Sequence, residues 1–89
     1  MDLEVIDVPE RNRYEVTADG APAGFAAYVV HDTTITFTHT EIDPAFEGHG
    51  VGSALAGFAV TDARARGLHI IALCPFIRSW IAKHPADAS

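Results

Sequence analysis

Disulfide chemistry is nearly closed to this chain. Its one cysteine, Cys74, has no partner for an internal bridge, so a reducing, cytoplasmic setting is expected. Cations are scarce as well: six Lys plus Arg stand against twelve Asp plus Glu, a formal net charge of −6. Without clustered Lys and Arg there is no footprint for a nucleic-acid backbone, and an anionic membrane surface is disfavoured for the same reason. The uncharged stretch Gly67–Ile77 is interrupted by His69 and Pro75; it falls far short of the ~20 apolar residues that span a bilayer. Met1-Asp2-Leu3-Glu4 is acidic where a signal peptide would be basic. No repeat, linker or low-complexity segment interrupts the 89 residues, which suit one domain over 1–89 with a thin core. A hydrophobic fraction of 48% argues against disorder.

The first half reads as strands. Leu3–Val8 is β-prone and stops at Pro9, and Arg13–Thr17 alternates before a turn at Asp19-Gly20. Gly24–His31 is a longer run, separated by Asp32 from Thr33–Ile42, so the two should form a hairpin. The second of them alternates strictly. Ile35, Phe37, His39 and Glu41 are expected on one face, Thr34, Thr36, Thr38 and Thr40 on the other.

After Ile42 the pattern changes. Asp43 to Gly52 is a loop with glycines at 48, 50 and 52, and Val51, Ala54, Leu55, Phe58 and Ala59 then recur at helical spacing up to Gly67. His69–Leu73 is nearly all apolar, as for a strand buried on both faces. Pro75 opens a second helix whose stripe is Phe76, Ile77, Trp80, Ile81 and His84, stopped by Pro85, with a frayed tail Ala86–Ser89. The expected class is α+β, a mostly antiparallel sheet in the order β-β-β-β-α-β-α.

Gly48, Gly50 and Gly52 sit between a strand and a helix. Glycines there let the backbone come close to an anion, and the helix N-terminus adds partial positive charge. The plain alternative is a loop that needs tight turns. A P-loop would need Lys after its glycines, yet Gly52 is followed by Ser53. A dinucleotide fingerprint would need an acidic residue near Ala72-Leu73-Cys74, where there is none.

The remaining spacing, Glu47-Gly48-His49-Gly50-Val51-Gly52, resembles the Gln/Arg-x-x-Gly-x-Gly/Ala motif of the Gcn5-related N-acetyltransferases. The likeness runs from Ile35 to Pro85. Its segments His39-Thr40-Glu41, Asp62 to Gly67, Leu73-Cys74-Pro75-Phe76 and His84-Pro85 look like a compact subfamily of small predicted acetyltransferases. The resemblance implies a minimal acetyltransferase fold with acetyl-CoA as cosubstrate. It implies a coenzyme-binding run that includes Gly48, in which backbone amides of His49, Gly50, Val51, Gly52, Ser53 and Ala54 hold the pyrophosphate, while the backbone of Glu41 and Ile42 pairs with the pantetheine arm. Glu47 departs from the motif: a carboxylate repels pyrophosphate, so it is expected to point away and leave the anion to the backbone and His49.

Cys74 precedes Pro75 and should cap the last helix, whose dipole favours thiolate; its apolar neighbours work the other way. It reads either as a small buried hydrophobe or as a catalytic group, the latter as nucleophile or as acid toward the departing coenzyme thiolate. His39 and Glu41 read either as a general base for an incoming ammonium or as a polar pair holding the strand. His84 is expected to hydrogen-bond across to the sheet, and Arg64 with Arg66 to form a solvated helix end. Arg78, Lys83 or Arg64 would be the cations for a coenzyme 3′-phosphate. No spacing of His, Cys, Asp and Glu matches a metal site.

Two functions follow: an acetyl-CoA-dependent N-acetyltransferase acting on a primary amine of a small molecule or peptide, or a coenzyme A-binding or protein-interaction module without turnover. Either as monomer or homodimer, the acidic surface suits a cationic partner.

Overall fold

The computed structural model describes residues 1–85; the expected fraying of 86–89 lies outside them. Five strands, β1 (Leu3–Val8), β2 (Arg13–Ala18), β3 (Ala21–His31), β4 (Thr34–Ile42) and β5 (His69–Ala72), form one sheet in chain order. The first four are antiparallel neighbours, whereas β5 runs parallel to β4. A parallel pair needs a crossover, and α1 (Val51–Ala65) supplies it. α2 (Pro75–Lys83) follows β5. The expected order and class are what the chain adopts.

Short turns fix the meander. Asp19 and Gly20 both take positive φ (51° and 84°) between β2 and β3, the backbone a two-residue hairpin demands. Gly67, at φ 73°, follows the end of α1, as its place after the amphipathic stripe implies.

Both helices cover the same face of the sheet. Tyr14, Val16, Ala26, Ile35 and Phe37 from the strands meet Leu55, Ala56, Ala59, Val60 and Ala63 of α1 and Ile77 of α2 in one core. Each large apolar side chain buried there contributes about 1.5–3 kcal/mol. The α1 stripe is rotated from expectation: Ala56, Val60 and Ala63 are buried, while Phe58 is exposed and only its edge approaches Tyr14, at 6.0 Å between centroids. Small Ala side chains let α1 lie close to the sheet, and that approach selects the face.

Among the described residues no helix lies on the opposite sheet face. This corrects the reading of β5, which alternates exposed and half-buried residues and leaves Ile71 exposed. The run looks doubly buried because the exposed Ile71 and Leu73 are also apolar. A second correction concerns β4. Tyr28 pairs with Phe37 but Ala27 pairs with His39, so Thr38 is an extra residue in the ladder. Such a bulge reverses the facing of all that follows. Thr40 and Ile42 therefore turn toward the helices, and His39 and Glu41 share the open face rather than that of Phe37.

Candidate functional site

The two parallel strands part at the bulge. Their last paired residues are Phe37 and Ala72, after which β4 continues to Ile42. Leu73 and Cys74 both donate backbone N–H to the Phe37 carbonyl, turning the chain away into α2. Among the described residues, the β5-side edge of β4 thus has no strand partner from Thr38 onward.

A cavity of about 410 Å³ lies beside this edge, walled by Thr40, Ile42, Phe46, Glu47, Gly48 and residues 50–53, with Phe76 opposite; His49, expected to help carry an anion, is exposed and does not line it. Gly48 and Gly50 adopt left-handed φ (84° and 75°), and a Cβ on either would meet nothing within 4 Å. Their requirement is backbone conformation. Gly52 differs. A Cβ there would stand 2.7 Å from Phe76 Cζ, so this third glycine lets α2 close against the start of α1.

Gly50 caps α1 without any side-chain hydrogen bond to the first turn. Ala54 N–H donates to the Gly50 carbonyl at 3.1 Å, so its amide is committed to the helix, contrary to expectation. Those of Val51, Gly52 and Ser53 precede the ladder and face outward from its positive end. Their geometry suits an oxyanion or phosphate group, and the bulk of the cavity suits a longer ligand along β4.

At the other end of the gap Cys74 is buried, with 5% exposure, and caps α2 in an extended conformation before Pro75. Burial pushes its thiol pKa up, but the Thr40 hydroxyl and the backbone amides of Ile77, Phe76 and Thr40 outweigh it, so the net direction is down. In the thiol form Sγ–H donates to Thr40 Oγ1 at 3.2 Å. Simple alternation places Thr40 on the face away from Phe37, so the sequence alone does not single it out.

His39 Nε2 and Glu41 Oε2 are 3.0 Å apart on the open face, both largely solvent-exposed. They do pair, as i, i+2 neighbours on a strand can. The Phe25 ring meets His39 edge-on, at 6.1 Å between centroids. His84 makes no bond to the sheet; its ring stacks on Trp80 at 4.0 Å, and Nδ1 lies 3.0 Å from the Trp80 carbonyl of the same helix.

Two arginines near α2 are engaged. Arg78 donates to the carbonyls of Ala72 and Leu73, and Arg64 to that of His84. Arg66 is no solvated helix end: it bridges Asp7 at 2.8 Å and Asp62 at 2.9 Å. Those carboxylates in turn accept the hydroxyls of Tyr28 at 2.5 Å and Tyr14 at 2.6 Å. This chain of five side chains ties β1, β2 and β3 to the end of α1, away from the cavity. Among the described residues no helix is long and apolar enough to cross a membrane.

A model of the GCN5-related N-acetyl-transferase family matches residues 13–89. A search of curated proteins returns no match. Among solved structures the chain is similar to a crystal structure, from Clostridium acetobutylicum, of a predicted acetyltransferase with acetyl-CoA (TM-score 0.56, 16% identity). That match covers 86% of this chain and 58% of the other, so the chain spans little more than half of that protein's length. The likeness is one of fold.

Proposed function

The chain belongs to the GCN5-related N-acetyltransferases, and from that premise we propose that it moves an acetyl group from acetyl-CoA to a primary amine of a small molecule or peptide. The observation that carries this reading is the uncapped start of α1, opening into a cavity shared with the unpaired edge of β4. The pyrophosphate is held by the outward amides of Val51, Gly52 and Ser53, with Gly48, His49 and Gly50 shaping the approach. The pantetheine arm runs along β4 toward Thr40, past Ile42, which lines the same groove, and pairs with the backbone of Glu41 and Ile42. Glu47 lines the cavity and contributes no attraction for phosphate.

The acceptor nitrogen attacks the thioester carbonyl, the C–N bond forms and the C–S bond breaks. A β4-edge amide stabilises the charge that develops on the carbonyl oxygen. Cys74 gives its proton to the departing coenzyme sulfur, and the thiolate left behind is held by the Thr40 hydroxyl and the amides of Ile77 and Phe76. The nitrogen's proton passes to His39, whose imidazolium is held by Glu41.

Calorimetry with coenzyme A and acetyl-CoA tests the binding half: both bind at tens of micromolar or tighter, and a folded sample that binds neither ends the reading. Release of free coenzyme thiol over an amine panel tests turnover. Binding without release would leave a non-catalytic coenzyme-binding module. Mass spectrometry after acetyl-CoA alone separates the roles of Cys74, because a proton donor remains unacetylated.

A further inference from the structure

A second cavity, of about 440 Å³, lies on the open face of the sheet over β2, β3 and β4. Two irregularities create it. Val16 pairs with Gly24 but Thr17 pairs with Pro22, so Ala23 is an extra residue that bends β3. Gly24 follows, with no room for a side chain on the helix side: a Cβ there would come within 2.5 Å of the Glu41 carbonyl oxygen and 2.8 Å of Ile42 Cδ1, so β3 and β4 run close together beneath the cavity.

The walls differ in charge. Over β2 stand Arg11 and Arg13, which share a single carboxylate: Glu15 Oε2 accepts from Arg13 Nε at 2.7 Å and from Arg11 Nη1 at 3.0 Å. Two guanidiniums against one carboxylate leave one positive charge in excess. Over β4 stand Glu41 and Asp43. Asp43 spends Oδ1 on the Ala45 amide at 2.9 Å, and Glu41 is shared with His39, so this wall is negative. Between them Phe25 lies in the same cross-strand row as Glu15 and Glu41, and the Arg13 guanidinium sits over its ring, 4.4 Å from the centroid. That stacking fixes the guanidinium plane toward the cavity.

From this polarity we propose that the open-face cavity binds a zwitterion, a primary amine whose body also bears a carboxylate. The carboxylate meets Arg13 and Arg11, and the ammonium meets Glu41 and Asp43. Two strand spacings separate the walls, roughly 9.5 Å at the backbone, so the matching ligand carries its charges at the ends of a short chain, as in an ω-amino acid or a dipeptide. Phe25 provides the apolar bed for that chain. The identification of this ligand as the acetyl acceptor rests on the acetyltransferase reading; the charge selectivity does not. Glu41 connects the two, since it holds the proposed ammonium and also pairs with His39.

The experiment is calorimetric titration of the whole chain, without coenzyme, by 6-aminohexanoate, hexylamine and hexanoate. The zwitterion is expected to bind at least tenfold tighter than either single-charge probe. Arg13→Gln should erase its advantage over hexylamine, and Glu41→Gln its advantage over hexanoate, with circular dichroism unchanged in both variants. Hexylamine binding as tightly as the zwitterion, no binding by any probe, or a selectivity that Arg13→Gln leaves intact would each overturn the proposal. Zwitterion binding by a protein that ignores coenzyme A would instead sink the acetyltransferase reading and leave this site standing.

Discussion

Cys74 Sγ lies 3.2 Å from Thr40 Oγ1, across the gap where β4 and β5 part. Residues 34 positions apart in sequence meet because the bulge at Thr38 turns Thr40 inward and Pro75 starts α2 beneath it. The hydroxyl is a proton acceptor for the thiol and a donor to the thiolate, so it serves Cys74 in either protonation state.

Replacing Thr40 by Val keeps the shape and removes that donor. The thiol pKa is expected to rise, and alkylation by iodoacetamide near neutral pH to slow several-fold, with the midpoint of the rate–pH curve displaced upward. A curve that superposes on the parent's would assign the lowered pKa to the helix amides alone. In the acetyl-transfer assay Cys74→Ala should lose about 10²-fold or more in turnover, in line with removal of a general acid.

Gly52 and Phe76 make a separable pair. In Gly52→Ala the new methyl displaces the Phe76 ring, the movable end of a side chain, into the shared cavity. Coenzyme affinity should fall about tenfold, close to 1.4 kcal/mol, with little change in the urea midpoint. Adding Phe76→Leu should recover most of the affinity in calorimetry. An affinity unaffected by Gly52→Ala would mean that the coenzyme does not use this wall.

Gly50→Ala meets no steric obstacle but must hold a left-handed backbone at φ 75°. It should lower stability by about 1–2 kcal/mol in urea unfolding. Unchanged stability would show that the loop relaxes to another conformation, and coenzyme affinity would then report whether the amides still converge.

Arg66→Met would leave Asp7 and Asp62 with only a tyrosyl hydroxyl each. The Asp7 side chain is only 10% exposed, yet the guanidinium is half-exposed, so solvent softens the loss to about 1–2 kcal/mol. Chemical denaturation measures it. Equal stability would mean that water replaces the guanidinium at no cost.

The same cluster sets an alkaline limit. Burial, then the hydrogen bond to Asp62, raises the Tyr14 pKa well above its ordinary value; burial and Asp7 do the same for Tyr28. The folded state therefore retains protons that the unfolded chain releases above about pH 10. Stability is fully present below that pH and falls as pH climbs through the elevated folded values, by up to about 1.4 kcal/mol per pH unit for each tyrosine. Thermal midpoints measured between about pH 9 and 12 should drop accordingly, and less steeply in Tyr28→Phe. Parallel curves for parent and variant would contradict this assignment.

Much of the fold is legible from local pattern. Alternation marks β2 and the start of β4, Asp19-Gly20 marks the hairpin, and helical spacing with Gly67 marks α1. The Thr38 bulge is not legible, because Thr38-His39-Thr40-Glu41 alternates whether or not a residue is inserted. The side chains that reveal it, Tyr28 and Ala27, are on another strand. Gly48, Gly50 and Cys74 could be singled out because glycine and a cysteine before proline have local meanings. Arg66, Thr40 and the open-face cavity depend on pairings far apart in sequence, and nothing in a single stretch announces them.

One inserted residue in β4 also determines how two reagents would approach. His39 and Thr40 are chain neighbours, yet they look to opposite sides of a single layer of backbone. If the proposed reading holds, the coenzyme would enter under the helices and the amine across the bare side, the two meeting through the gap where β4 and β5 part, so neither would have to leave for the other to enter. On that plan the two substrates would bind in either order, and a saturating level of one would not inhibit the other's arrival.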